Sequence, residues 1–241
     1  MTTLFISDLH LCADRPDITL AFRNFLRNRA LECDSLYILG DFFEVWVGDD
    51  DDDAYAQSII EELRHFSDSG RSLYFMVGNR DFLIGEGFAA RCNATLLEDP
   101  TVIDLYGEPT LLMHGDSLCT RDQEYMAFRQ MARSEAWQAE LLAKPLAERR
   151  AIALHLRQQS KSMSSLKAED IMDVTESEVA NTMNELGTKR LIHGHTHRPA
   201  VHPVALQSGN GERMVLGDWG DKLWWIEAAP GQTPQLKQQT L

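Results

Sequence analysis

The chain has 241 residues and a formal net charge of -14 at pH 7. This length can bury a full hydrophobic core and is sufficient for one α/β domain or two small ones. The acidic balance disfavours a general nucleic-acid binder, which needs a broad basic face, so no nucleic-acid partner is expected.

The cysteine spacing and the lengths of the apolar runs indicate the cellular compartment of the protein. Cys12, Cys33, Cys92 and Cys119 show no C-x-x-C spacing, which favours free thiols in a reducing cytosol over disulfides. The first residues lack the basic and long apolar regions of a signal peptide, so none is expected. No stretch of about 18 consecutive apolar residues occurs, which predicts a protein that is soluble or lies on a membrane surface.

Five short apolar runs predict β-strands that are buried on both faces. They cover residues 4–7, 36–39, 73–77, 110–113 and 190–192. Between the first two, apolar residues recur at helical spacing from Ile18 to Ala30, with Asp17 as the expected N-cap. A second amphipathic helix is predicted around residues 59–66 and should end near Gly70. Strands that alternate with helices indicate an α/β fold, which some schemes classify as α+β.

Later runs predict further strands and more than one sheet. Residues 102–105 are expected to pair with residues 110–113 across Gly107, and residues 214–216 and 223–226 are expected to form further hairpin strands. The acidic run 49–53 is expected to cap the second helix, because acids are favourable at a helix N-terminus. A calcium site is the alternative for this run, but the glycine and terminal glutamate of an EF-hand loop are missing.

Residues 121–167 differ in character from the rest of the chain. They are helix formers throughout, interrupted by Pro145, and their Lys and Arg outnumber their Asp and Glu although the whole chain is acidic. The pattern predicts a helical cap inserted into a core formed by residues 1–120 and 168–241. Such a basic cap would meet an anionic ligand; a solvated helical hairpin is the alternative that charge alone leaves open.

Apolar residues lie among the basic residues of this segment. They are Trp137, Leu141, Leu142, Leu146 and Ile152. We expect them to form an amphipathic surface that contacts acyl chains and anionic lipid. Packing within the cap is the alternative for the same side chains.

Five short motifs carry residues that can bind metal ions. They are Asp8-Leu9-His10, Gly40-Asp41, Gly78-Asn79-Arg80-Asp81, His114-Gly115-Asp116 and His193-Gly194-His195-Thr196-His197. Each is expected at the end of a strand. Carboxylate and imidazole ligands without thiolates suit Mn²⁺, Fe²⁺, Zn²⁺ or Mg²⁺, and the mixture favours Mn²⁺. Two such cations about 3.5–4 Å apart can activate a water and hold phosphoryl oxygens during in-line attack. Asp41 is the natural bridging ligand, and His193 is expected to support the site without binding metal.

These motifs resemble the set that characterises the calcineurin-like metallophosphoesterases. The resemblance implies a double β-sheet sandwich flanked by helices, with the ligands on loops at one edge. It implies one metal bound by Asp8, His10, Asp41 and His197, and a second bound by Asp41, Asn79, His114 and His195. Together with Arg80, these ligands are the expected catalytic residues.

Arg80 departs from many members of that family, which have a histidine at this position that can protonate an alkoxide leaving group. Arginine cannot deliver a proton near neutral pH, but it can stabilise negative charge on a phosphoryl group bidentately. Arginine at this position therefore predicts a reaction whose leaving group needs no general acid, such as the phosphate released when a pyrophosphate is cut.

Longer stretches are similar to one branch of the family, the bacterial UDP-2,3-diacylglucosamine hydrolases. These stretches are residues 5–11, 37–44, 78–83, 113–116, 171–174 and 193–200. The resemblance implies cleavage of a UDP-diacylglucosamine lipid to UMP and 2,3-diacylglucosamine 1-phosphate (lipid X) in lipid A biosynthesis. It also implies a peripheral enzyme on the cytoplasmic side of the inner membrane, in contact with its anionic surface and with no obligate protein partner.

The resemblance further implies which side chains contact substrate. They are Asn79, Arg80, Asp122, Ser160, Ser164, Lys167 and His195. Ser164 stands where relatives have asparagine. A soluble metallophosphodiesterase or nucleotide pyrophosphatase is the alternative enzyme, and a scaffold without activity is disfavoured because none of the five motifs is broken.

Overall fold

The computed structural model describes residues 1–164 and 171–241. The strands are β1 (Thr3–Ile6), β2 (Ser35–Leu39), β3 (Ser72–Met76), β4 (Ala94–Leu97), β5 (Thr101–Leu105), β6 (Glu108–Leu112), β7 (Arg190–His193), β8 (Ala200–Leu206), β9 (Gly209–Val215), β10 (Lys222–Ala228) and β11 (Gln235–Thr240). The helices are α1 (Pro16–Asn28), α2 (Ala54–Asp68), α3 (Glu86–Cys92), α4 (Gln123–Ala132), α5 (Glu135–Leu142), α6 (Leu146–Ser164) and α7 (Glu176–Glu185).

The strands form two sheets. The six-stranded sheet has the order β11-β10-β1-β2-β3-β4, and the five-stranded sheet has the order β5-β6-β7-β9-β8. Strands β1 to β4 run parallel, as do β6, β7 and β9, whereas the flanking strands of both sheets are antiparallel to their neighbours. The predicted α/β class and the presence of more than one sheet are therefore confirmed.

The two sheets pack face to face, because alternate side chains of a strand point to opposite faces. Phe5 of β1 and Ile192 of β7 belong to one buried apolar cluster between the sheets. Leu4 and Ile6 point the other way, into a cluster with α1, α2 and α3. Leu191 belongs to a third cluster, beyond the second sheet, with residues of α7. The result is a sandwich of two sheets with helices on both outer faces.

Parallel strands bring their carboxyl ends to the same edge of a sheet. The five motifs follow or end β1, β2, β3, β6 and β7, as predicted. Backbone hydrogen bonds continue beyond the strands: Asp8 N donates to Gly40 O at 3.0 Å, and Gly194 N donates to His114 O at 2.9 Å. The motif loops are thereby held side by side.

Residues 123–164 form α4, α5 and α6, with no strand among them. Pro145 lies between α5 and α6, so the predicted interruption is confirmed. The predicted run 49–53 does cap α2, because the Asp53 side chain accepts a hydrogen bond from Ala56 N at 2.8 Å.

One detail of the sequence prediction is wrong. Asp17 is not the N-cap of α1; it lies in the first turn, where it accepts hydrogen bonds from Arg15, and Pro16 begins the helix. The predicted hairpin strands are confirmed: β9 pairs with β8 in one sheet, and β10 pairs with β11 in the other. Strands β4, β8 and β11 were not predicted, since their solvent-facing residues dilute the apolar pattern.

Candidate metal centre

Six of the predicted metal ligands form two clusters at the common edge of the sheets. Asp8, His10 and His197 form the first cluster; Asp41, His114 and His195 form the second. Within each cluster the ligand atoms all lie within 4.8 Å of one another. The seventh predicted ligand, Asn79, adjoins the second cluster: its Oδ1 is 2.9 Å from His114 Nε2 and 2.9 Å from His195 Nδ1.

In the first cluster, ring nitrogens and a carboxylate converge on one space. His10 Nε2 lies 3.3 Å from His197 Nε2, and His197 Nε2 lies 3.3 Å from Asp8 Oδ1. Asp8 is fully buried, and its carboxylate also accepts hydrogen bonds from Ser7 Oγ and from His195 N. Burial would raise the pKa of Asp8, but its hydrogen bond to His197 and the charges of His197, His114 and His10 hold that pKa well below its usual range.

The second cluster is arranged as a site for a cation. His114 Nδ1 lies 2.9 Å from Leu39 O and donates to it, so in the neutral ring the Nε2 lone pair faces Asn79 Oδ1, another acceptor. Two acceptors that face each other repel unless a proton or a cation lies between them. Burial opposes charging of His114, but Asp41, Asp116 and Asp8 raise its pKa to about 9. The negative potential that favours a proton on this ring equally favours a divalent cation, so the residues fit the predicted metals.

The ligand loops have an unusual backbone. Five of the seven predicted ligands adopt positive φ values, a region that only a few per cent of non-glycine residues visit. They are Asp8 (56°), His10 (49°), Asp41 (51°), His195 (66°) and His197 (55°). Such conformations cost on the order of 1–3 kcal/mol each and persist where the surrounding structure over-determines them. Strain of this kind is concentrated at the candidate metal centre.

Glycines in the motifs permit the close approach of these loops. Gly40 has φ of +87°, and a Cβ there would lie 2.6 Å from both Gly78 Cα and His114 Nδ1. A Cβ on Gly194 would collide with the carboxylate of Asp8. These glycines therefore act by letting the ligand-bearing loops touch.

Asp81, the last residue of the Gly-Asn-Arg-Asp motif, is fully buried and supports the ligand loops from behind. Its carboxylate accepts hydrogen bonds from Gly78 N at 2.7 Å and Phe42 N at 2.8 Å, with Asp41 N and Phe43 N each at 3.3 Å. It thus joins the loop after β2 to the loop after β3. No role was predicted for Asp81 from the sequence, although a further acid in a ligand motif was a signal that it has one.

Asp116 joins the second sheet to α4. It is fully buried, and its Oδ2 accepts from Tyr125 Oη at 2.6 Å and from Arg129 Nε at 2.9 Å. Burial would raise its pKa, but the charges of His114, Arg133 and Arg129 hold the pKa of Asp116 well below its usual range. Arg133 also donates to Gly78 O at 3.0 Å, next to Asn79. This network was not predicted from the sequence, because the network joins residues of the predicted cap to core motifs that are distant along the chain.

His193 lies apart from the ligand atoms, in agreement with its predicted supporting position. It is fully buried; Nδ1 lies 2.8 Å from Gly194 O, and Nε2 lies 3.2 Å from Arg213 Nη1. Burial and the nearby Arg213 charge lower the pKa of His193 to about 3, so the ring is neutral.

Arg80 lies between the second cluster and a cavity. Its backbone N donates to Asp41 Oδ1 at 2.8 Å, and its Nε lies 3.8 Å from Asp41 Oδ2. This Nε is buried and has no hydrogen-bond partner among the described residues. The guanidinium of Arg80 therefore lies beside the carboxylate of Asp41, at the wall of the cavity.

The cavity beside Arg80 has a volume of about 200 Å³ and lies between the core and helices α4 to α6. Most of its wall is apolar, with Val45, Trp46, Phe82, Phe128, Leu141, Ile152 and Leu156. Of the predicted acyl-chain residues, Leu141 and Ile152 line it, whereas Trp137 packs on Phe82 with ring centroids 5.9 Å apart. Leu142 is 42% exposed.

The predicted substrate contacts divide into three groups. Asn79, Arg80, Asp122 and Ser160 line the cavity, and His195 stands beside Asn79 in the second cluster. Ser164 ends α6, but its side chain is not described. Lys167 lies outside the described residues.

Two arginines of α6 are paired with core acids. Arg149 is 3% exposed and binds Asp50, while donating to Val47 O at 2.6 Å. Arg150 binds Asp51 and Asp52. Residues 50–52 of the acidic run therefore bind α6, a role that its helix-capping pattern did not indicate.

None of the described helices is long and apolar enough to cross a membrane.

Known proteins are similar to this chain over nearly its whole length. The chain is 55% identical over 229 residues to a UDP-2,3-diacylglucosamine hydrolase of Cellvibrio japonicus (strain Ueda107), covering 95% of each chain. Identity is 52% over 241 residues to a UDP-2,3-diacylglucosamine hydrolase of Marinobacter nauticus, covering 100% of this chain and 99% of that protein. An archaeal phosphodiesterase structure aligns over the whole of both chains with a TM-score of 0.51 and 12% identity, which is a likeness of fold alone.

The family comparison covers most of the chain. The model of the calcineurin-like phosphoesterases matches residues 1–199, which include all five motifs. The double sheet with its flanking helices is the architecture that the resemblance implied. The chain belongs to the calcineurin-like phosphoesterase family.

Proposed function

We propose that this chain hydrolyses the pyrophosphate bond of UDP-2,3-diacylglucosamine, releasing UMP and 2,3-diacylglucosamine 1-phosphate. The observation that carries the proposal is the junction of two ligand clusters with an apolar cavity that Arg80 and Asn79 border. A pyrophosphate attached to acyl chains has this same combination of anionic and apolar parts. The names of the similar proteins from Cellvibrio japonicus and Marinobacter nauticus support the same substrate.

The two clusters would hold two divalent cations, for which we propose Mn²⁺. Asp8, His10 and His197 would bind one, Asn79, His114 and His195 the other, and Asp41 both. When bound, the pair supplies an activated water at neutral pH and positive charge next to the phosphoryl oxygens. Asp81, which accepts hydrogen bonds from the backbone of two ligand loops, would hold these ligands in place.

Arg80 would bind and stabilise the phosphoryl group through its guanidinium, since it lines the cavity beside Asp41. Because arginine stays protonated at every physiological pH, it can stabilise charge but cannot supply a proton to the leaving group. A phosphate monoester leaves as a stable anion and needs no such proton. This chemistry favours pyrophosphate over a simple alcohol ester as the substrate.

We propose that residues 121–167 are the lipid-binding cap, inserted into a core of residues 1–120 and 168–241. The apolar cavity would receive an acyl chain, while Asp122 would accept from a hydroxyl of the substrate and Ser160 would contact its polar part. Ser164 and Lys167 complete the proposed contact set. Leu156→Trp should narrow the cavity and raise KM for the diacylated substrate, leaving KM for bis(p-nitrophenyl) phosphate near that of the wild type.

A peripheral location on the cytoplasmic side of the inner membrane follows from the proposed lipid substrate. The exposed apolar residues Leu142 and Leu154 on α5 and α6 would face the bilayer. Binding to vesicles that contain anionic lipid should exceed binding to zwitterionic vesicles and weaken with added salt. Equal binding to both kinds of vesicle would contradict the electrostatic part of this proposal.

The function is tested by a substrate screen coupled to metal analysis. Purified protein, its metal content measured, is offered UDP-2,3-diacylglucosamine, cyclic nucleotides and diadenosine compounds. We expect UMP release from the diacylated substrate, loss of activity with a chelator and recovery with Mn²⁺. Faster turnover of the soluble nucleotides would instead favour the alternative of a soluble metallophosphodiesterase or nucleotide pyrophosphatase.

A further inference from the structure

Glu44 lies directly behind one of the histidines in the first cluster. The loops after β1 and β2 run side by side: Leu11 N donates to Phe42 O at 2.8 Å, and Glu44 N donates to Leu11 O at 3.1 Å. This register places Glu44 Oε2 3.3 Å from His10 Nδ1. That Nδ1 is buried and has no aligned hydrogen-bond partner in the described part of the chain, so a small rotation of the carboxylate would complete the pair.

The other oxygen of Glu44 binds the predicted cap. Glu44 Oε1 accepts a charged hydrogen bond from Nε of Arg157, a residue of α6 that also lines the apolar cavity. Arg157 and Glu44 are partly buried, with side-chain exposures of 29% and 26%. One carboxylate therefore contacts both a helix of the lipid cavity and a predicted metal ligand.

The histidines of the two clusters are supported differently. In the first cluster, His10 has Glu44 behind it, and His197 Nδ1 lies 3.8 Å from Asp218 Oδ2. In the second cluster, His114 is held by the neutral carbonyl of Leu39. A carboxylate behind a ligand histidine fixes its tautomer and raises its basicity. Of these carboxylates, Glu44 lies nearest its ring and contacts α6.

We infer that Glu44 is a positioning residue that holds His10 with Nε2 directed at the first metal, and that Arg157 couples the cap to this metal through Glu44. The inference rests on the proposed two-metal site. It predicts that loss of the Arg157–Glu44 contact changes metal affinity at one site and leaves the other nearly unchanged.

The test measures Mn²⁺ binding to the full-length, metal-stripped protein by calorimetry, without substrate. Wild type should bind two ions. Glu44→Ala should weaken one of them by about 10–100-fold, the usual effect of removing the group behind a metal ligand. Glu44→Gln, which keeps the shape, should weaken it less, and Arg157→Ala should weaken the same ion. In the Glu44→Ala background, Arg157→Ala should add no further loss.

Asp50→Asn is the matched control, because it breaks another ion pair between the core and α6 without touching a metal ligand. It should leave both Mn²⁺ affinities unchanged. The positioning role is overturned if folded Glu44→Ala binds both ions as wild type does. The coupling is overturned if Arg157→Ala does so, or if Asp50→Asn causes the same loss. Failure of the wild type to bind two ions would overturn the proposed metal centre itself, and the coupling with it.

Discussion

Arg80→Ala gives the sharpest test of how this site handles phosphate. The Arg80 side chain is only 20% exposed, and its backbone N is held by Asp41 Oδ1 at 2.8 Å. Its Nε, 3.8 Å from the Asp41 carboxylate, is buried without a hydrogen-bond partner among the described residues. The substitution therefore removes a charged donor that is already oriented beside the metal ligands.

The magnitude follows from the burial of this donor. An oriented donor that faces charge developing in the transition state is worth about 10²–10³ in kcat, or roughly 2.7–4 kcal/mol. Two unit charges about 4 Å apart near a protein surface interact by about 4 kcal/mol, which agrees with the upper end. Arg80→Lys keeps the charge but loses the planar fork, so it should recover only part of the rate.

The assay compares kcat/KM for UDP-2,3-diacylglucosamine with bound Mn²⁺ measured on the same samples. Arg80→Ala should lose about 10²–10³ in rate and keep its metal. Arg64→Ala is the control, because Arg64 is 48% exposed and pairs with the exposed Asp68 on the outside of α2. A loss of less than about threefold, or loss of the metal from Arg80→Ala, would refute the assigned role.

Three further predictions test the metal centre, the attachment of α6 and the thiols. Asp41→Ala should lose at least about 100-fold in kcat and reduce Mn²⁺ binding, and near-normal turnover with Mn²⁺ would refute the bridging role. Arg149→Ala should lower the free energy of unfolding in urea by about 1.5–3 kcal/mol, because it removes buried charged hydrogen bonds to Asp50 and Val47 O. Arg150→Ala, on the exposed side of the same helix, should leave the urea midpoint unchanged, and equal effects of the two variants would contradict this difference. Burial raises the pKa of Cys33 and Cys119 to about 12 and that of Cys92 to about 11, so iodoacetamide at pH 8 should label only Cys12 in the native protein. Labelling of the buried thiols before unfolding, seen by mass spectrometry, would contradict it.

The sequence by itself determined the strand-and-motif framework. Short apolar runs ending in Asp, His or Asn predict strands whose carboxyl ends carry ligands, and β1, β2, β3, β6 and β7 have this form. These features are local: an apolar run and the polar residue after it are adjacent in the chain. The same holds for the helices between residues 123 and 164, which lie in the predicted cap, and for their break at Pro145.

Only the tertiary structure decided how the other acids are used. The sequence pattern does not distinguish Asp81, Asp116, Glu44 and Asp50 from other acidic residues. In the fold, Asp81 supports a ligand loop and Asp116 anchors α4. Glu44 faces His10, and Asp50 binds α6. Each role depends on a partner far along the chain or on a backbone turn formed only when the loops meet. Local pattern carries no information about such pairs, so the convergence of the motif residues at one edge could be predicted and most of the groups that hold them could not.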